Sequence, residues 1–227
     1  MTALLNVATV IALWLLFTSA PILWLIPKSP QGNFLWIPVQ LVVFNNLNLL
    51  IALCEIILGS HITHIQEEYK SLRDRYKGKE HEACLSYLTM PLTISLCFHW
   101  KTWSKMWSTY SLYDPSYQNP ESFGFFIDVG NGYFTILPGL LINFYLVVPH
   151  RLSYLLVGCV GLASYWQILY GTIIYLLSFV FNKRHRGKGL IEIFSFVLVS
   201  NAFWIWGPLI GIFYCVCVLR DGNNDRS

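Results

Sequence analysis

Five apolar stretches, at roughly residues 3 to 26, 34 to 59, 122 to 148, 152 to 181 and 190 to 219, dominate the chain and limit what it can fold into. Crossing the hydrocarbon of a bilayer as a helix takes about 20 mostly apolar residues. Each stretch meets that length. The composition agrees, with 55% hydrophobic and 12% charged residues among 227, including nine Trp, thirteen Tyr and fifteen Phe. The expectation is therefore an all-α integral membrane fold, a five-helix transmembrane bundle forming a single domain over residues 1 to 227. A separate soluble domain has no room.

The remaining charge sits mainly in two places, the segment from His61 to Glu121 and the basic run Lys183 to Lys188. Within the first lies one more apolar stretch, Cys84 to Phe98. It is short and contains Pro91, so it reads as an additional interfacial or re-entrant segment near residues 84 to 98. The distribution of Lys and Arg supports that count. With five spans, Lys70, Arg73, Arg75, Lys77, Lys79, Lys101 and Lys105 share a side with Lys183, Arg184, Arg186 and Lys188. Only Lys28, Arg151, Arg220 and Arg226 lie opposite, and a sixth span would erase this asymmetry. The N-terminus is thus expected on the cytoplasmic side, with the first run a retained anchor rather than a cleaved leader.

A net charge of +3 and the absence of a phosphate-binding glycine loop argue against a nucleic-acid or nucleotide protein. The six cysteines are scattered, mostly within apolar runs, and read as packing residues rather than a disulfide framework. His61, His64 and Glu67 have a spacing that could ligate a metal, but no further histidine cluster completes a site, so none is expected. The basic run reads as a solvated loop whose cations face lipid headgroups.

Against this apolar background two acids stand out. Glu55 lies well inside the second run and Asp128 inside the third. An uncompensated charge near the bilayer centre costs about 2.5 to 3.5 kcal/mol even on lenient insertion scales, so acids there usually face a cavity or a partner. Asn48 precedes Glu55 by seven residues, placing both on one helical face, and Asn45 precedes Asn48 by three. Asp128, Asn131 and Thr135 form a second polar stripe, with Gly130 and Gly132 beside it. The fourth run supplies Gln167, Tyr170 and Tyr175, and the fifth supplies Asn201 and Trp204.

Two carboxyls in different surroundings can divide acid and base roles, one donating a proton and the other accepting one. An indole face beside them would stabilise a cation formed in between. This chemistry moves a carbon-carbon double bond and calls for no cofactor and no metal. The competing structural reading treats the same acids as helix-to-helix hydrogen-bonding glue.

Several motifs, taken together, resemble the emopamil-binding protein family, the EXPERA-domain membrane proteins that include sterol delta-8 to delta-7 isomerases and the sigma-two receptor. Trp107, Tyr110, Asp114 and Tyr117 are similar to a Trp, Tyr, Asp, Tyr series before the isomerases' third helix, and Asp128 follows at the distance of their helix-three acid. Asn201, Ala202, Trp204 and Pro208 resemble their fifth-helix pattern, Tyr170, Gly171 and Tyr175 their fourth-helix motif, and Glu55 their second-helix Glu. The likeness covers about residues 34 to 219. It implies a multi-pass protein of the endoplasmic reticulum with an intramembrane pocket for a sterol or other hydrophobic small molecule, in contact with membrane lipid and free to form a homodimer. It also implies roles: Glu55 and Asp128 in proton transfer, Trp204 in cation stabilisation, and Asn201, Asn131, Tyr170, Tyr175 and Asn48 in binding. Two positions depart from the isomerase pattern. Ile51 stands where the isomerases carry a His, and Asp128 is one methylene shorter than their usual Glu. A non-catalytic sterol or cationic-amphiphile binder of the sigma-two type is the alternative.

Overall fold

A computed structural model describes residues 5 to 27 and 36 to 224, with side chains to 222; Lys28 and Arg226, both used in the charge count, lie outside the described residues. The chain is almost wholly helical. Four helices are long and apolar enough to span a membrane: α1 (Val7–Leu25), α2 (Trp36–Ser60), Tyr154–Phe181 and the stretch Leu190–Gly222. The bent pair Phe123–Phe134 and Ile136–Val147, whose axes differ by 44°, makes a fifth span if it is counted as one. This is the architecture of a multi-pass helical membrane protein.

The third apolar run was expected as one helix, and the break at Thr135 corrects that expectation. Pro138 supplies the reason. It has no N–H to offer the Phe134 carbonyl four residues back, and its ring clashes there, so one helix stops at Phe134 and the next starts at Ile136.

Between the second and third spans come α3 (Ile62–Arg75), α4 (Glu80–Leu88), α5 (Ile94–Cys97) and α6 (Trp100–Tyr110). The helical period explains their packing. Ile65, Tyr69 and Leu72 form the buried stripe of α3, and Trp103 and Trp107 that of α6. The stretch 84 to 98 does not cross as a helix. It breaks into the end of α4, a two-residue strand Pro91–Leu92 paired antiparallel with Leu5–Asn6, and α5, with Ile94, Leu96 and Phe98 exposed.

The spans after α6 are labelled α7 (Phe123–Phe134), α8 (Ile136–Val147), α9 (Tyr154–Phe181), α10 (Leu190–Ile193) and α11 (Ser200–Asn224). A six-residue π-helical stretch, Phe194–Val199, joins α10 to α11.

The chain divides into two compact units. The first comprises Met1–Trp14, Ala52–Tyr133 and Ile174–Ser200; the second comprises Leu15–Ile51, Phe134–Ile173 and Asn201–Ser227. In the second unit glycines set the helix spacing. A Cβ on Gly211 would collide with the Tyr165 ring, and one on Gly207 with Phe44, so α11 can approach α9 and α2 only through bare backbone. Asparagines bond these helices together. The Tyr165 hydroxyl donates to Asn45 Oδ1 at 2.9 Å, and Asn45 Nδ2 donates to Asn143 Oδ1 at 3.0 Å. Asn143 Nδ2 then donates to Asn46 Oδ1 at 2.9 Å, and Asn46 Nδ2 to Ser19 Oγ at 3.0 Å. Parts of α1, α2, α8 and α9 are thus joined by one run of buried hydrogen bonds.

Overpacking a filled site typically costs about 1 to 3 kcal/mol, and Gly211→Val is expected to destabilise the protein by that amount. Unfolding titrations in mild detergent will read this as an earlier midpoint, whereas Gly130→Ala, whose Cβ would meet open space, should leave it unmoved.

Candidate functional site

In the first unit, the C-terminal half of α2 packs against α7 at very short range. A Cβ on Gly132 would lie 2.8 Å from Glu55 Cβ and 2.9 Å from both the Ala52 carbonyl oxygen and the Ile56 nitrogen. Only glycine permits that approach. It brings the Glu55 and Asp128 carboxyls near enough to act on one another electrostatically. Glu55 is buried, and its Oε2 has no hydrogen-bond partner among the described residues. A buried acceptor left unsatisfied is costly, which marks it as a place that a ligand or proton donor would relieve.

The Tyr117 hydroxyl lies close enough to the Asp128 carboxyl to interact with it. Burial, followed by the nearby Asp128 charge, holds the Tyr117 phenol well above the usual range, so it remains a neutral donor. Around Tyr117 stands an aromatic wall. Its ring centre is 5.4 Å from Trp107, 5.1 Å from Tyr110 and 5.6 Å from Tyr175. The Trp107 indole N–H donates to the Cys54 carbonyl at 2.7 Å, fixing α6 to the residue before Glu55.

The turn carrying Tyr117 is specified locally. Asp114 caps the 3₁₀ turn Pro115–Gln118, accepting from the Ser116 N–H at 2.9 Å, and Pro115 takes the first helical position, where no N–H is needed. Ser122 does the same for α7, accepting from the Phe125 N–H at 3.1 Å. The second oxygen of Asp114 accepts from Arg184 Nη1 at 3.0 Å, with Asp114 fully buried and Arg184 largely so. This corrects the reading of the run Lys183 to Lys188 as a solvated loop. Arg184 is committed to Asp114, and Lys188 Nζ bonds the Leu112 carbonyl.

Of the residues singled out from sequence, Glu55, Asp128, Asn131 and Tyr175 fall in the first unit, and Asn48, Tyr170, Asn201 and Trp204 in the second. Asn131 and Tyr175 are buried, and the Tyr175 hydroxyl lies 3.4 Å from that of Tyr110. In the second unit the Trp204 indole N–H donates to Asn48 Oδ1 at 3.1 Å, and Asn48 Nδ2 donates to Thr135 Oγ1 at 3.0 Å. The small cavity beside Asn45, Asn48 and Tyr165 holds only about 10 Å³, room for one water at most. Tyr170 is exposed and stacks near Trp166, with ring centres 6.1 Å apart. Asn201 is half-buried.

Neither His61 nor His64 is arranged as a metal ligand. Both pack on Trp100, His61 stacked at 3.9 Å and His64 edge-on at 5.1 Å, and among the described residues no group of three potential ligands could hold an ion. The cysteines are all free, and Cys159 departs from the packing expectation by being exposed.

A scan against protein-family models, a search of curated proteins and a search of solved structures each found no match.

Removing one partner of a buried ion pair costs about 3 to 5 kcal/mol, because the other charge is left stranded. Arg184→Ala is therefore expected to destabilise the first unit by this order. The double variant Arg184→Ala with Asp114→Asn should recover part of the loss in the same detergent unfolding assay.

Proposed function

We propose that this protein is a double-bond isomerase of a sterol or sterol-like lipid, acting in the endoplasmic reticulum membrane as a relative of the emopamil-binding proteins. The observation that carries the reading is the juxtaposition of Glu55 and Asp128 on two apolar helices, held by the close contact at Gly132. Two acids at one intramembrane site are costly as mere packing and economical as an acid-base pair.

In the proposed reaction one carboxyl transfers its proton to an alkene carbon. The C–H bond forms at the expense of the π bond, leaving a carbocation at the neighbouring carbon. The other carboxylate then removes a proton from the next carbon along, and that C–H pair becomes the new double bond. Atoms and charge balance with no redox step. The cation needs electron-rich surroundings while it exists, which aromatic faces supply. Trp204 holds that role in the family resemblance. Trp107, its ring centre 5.4 Å from that of Tyr117 and its N–H bonded to the Cys54 carbonyl, is an indole in the same unit as the acids.

A ligand-binding role without turnover is the second reading, favoured by Ile51 at the isomerases' His position and by the unpartnered Glu55 Oε2. A cationic amphiphile placing its ammonium at that oxygen would satisfy it.

Positioned acid-base groups typically contribute about a hundredfold or more to rate, so Glu55→Gln and Asp128→Asn should each lower turnover at least that far while the protein stays folded. The test is expression in cells lacking sterol delta-8 to delta-7 isomerase, followed by sterol profiling. Persistence of the delta-8 sterol with well-expressed wild-type protein overturns the isomerase reading. Amine binding lost in Glu55→Gln, with no sterol product, would favour the binder.

A further inference from the structure

An acid pair that works by donating one proton and collecting another ends each cycle with its roles exchanged. The collected proton must return to the donor, either directly or through water. Both acids lie on membrane-spanning helices, so exchange with water needs a path through the protein.

One such path is visible in the first unit. The Tyr117 hydroxyl lies beside the Asp128 carboxyl, the Tyr117 ring centre is 5.6 Å from that of Tyr175, and the Tyr175 hydroxyl lies 3.4 Å from that of Tyr110. Asp114 lies within electrostatic reach of Tyr117, Tyr175 and Asp128. Its partner Arg184 opens onto a polar cleft of about 330 Å³ lined also by Gln66, Pro115, Gln118 and Asn119. Polar groups thus lie between the cleft and the intramembrane acids. The chemistry of the groups matters as much as their order. A hydroxyl both accepts and donates, so it can take a proton on one lone pair and release its own. The buried run in the second unit has three amides between its terminal Tyr165 and Ser19 hydroxyls, and amide N–H₂ groups donate but do not exchange roles in this way. Apolar helices fastened by amides in one unit and threaded by phenols in the other have different tasks.

We propose that Tyr117, Tyr175 and Tyr110 form a proton route connecting the aqueous cleft at Asp114 and Arg184 with the intramembrane acids Asp128 and Glu55. The proposal rests on the acid-base reading above and names where its protons come from.

Turnover of the sterol in D₂O by the full-length protein in lipid nanodiscs tests it. Wild-type product should carry solvent deuterium at the newly protonated carbon. Tyr117→Phe and Tyr175→Phe, which keep the rings, should lower the labelled fraction about fivefold or more while product still forms, and Tyr113→Phe, a buried tyrosine off the route, should not. Equal labelling in all variants, or unlabelled wild-type product, overturns the route.

A substrate-free measurement separates failure of the route from failure of the isomerase reading. The infrared carbonyl band of a protonated carboxyl, assigned by its loss in Asp128→Asn or Glu55→Gln, shifts when solvent deuterium reaches it. Tyr175→Phe should slow that shift by about tenfold or more, even if no sterol is ever turned over. An unchanged rate, or the absence of any band removed by those two substitutions, overturns the proposal.

Discussion

A polar group inside a bilayer has no water to fall back on, so each must find its partner within the protein. That constraint organises both units. Every intramembrane Asn of the run joining Ser19, Asn46, Asn143, Asn45 and Tyr165 is spent on another helix. Because bilayer lipids are as apolar as leucine, burial of side chains gives little drive to helix association, and these bonds with close glycine contacts supply what holds the spans. Gly207 and Gly211 belong to the same solution, since a hydrogen bond between helices is reached only where the backbones come near.

The first unit obeys the constraint less completely, leaving Glu55 Oε2, the Tyr87 hydroxyl and Ser116 Oγ without a hydrogen-bond partner among the described residues. Asp128 has the Tyr117 hydroxyl beside it, Asp114 is answered by Arg184 and the Ser116 N–H, and the Trp107 N–H by a carbonyl. Glu55 Oε2 is left without an answer, although Gly132 has been kept small enough to press an entire helix against its Cβ. Sequence economy would have placed Gln or Leu there.

The spans were legible because length and hydrophobicity are properties of the chain alone, and a carboxyl in such a run is conspicuous wherever it sits. Three things were not. The break at Thr135 depended on a steric clash between Pro138 and Phe134 that a hydropathy profile does not register, although the proline itself was in view. Arg184 looked like any member of a basic run, because its partner Asp114 is 70 residues away. Asn46 and Asn143 carried no signal beyond being polar in an apolar stretch. Their pairing is a tertiary fact. Tyr117 entered the reading only through the family resemblance, and its place beside Asp128 comes from a turn set by Asp114 and Pro115 outside the spans.

That turn couples a segment outside the spans to the acid on α7. Arg184 holds Asp114, Asp114 caps the turn, the turn aims Tyr117, and the Tyr117 hydroxyl lies beside the acid on α7. The first two links are short, directional contacts. Directional contacts fix geometry more tightly than apolar packing, where a side chain can shift without losing its partner. The wall of Trp107, Tyr110 and Tyr175 then limits the phenol's movement from the other sides. In the proposed isomerase, where a small misplacement of a reacting group would cost about a hundredfold in rate, the shorter reach of Asp128 relative to a Glu would place more of the burden on this chain of contacts than on the acid itself.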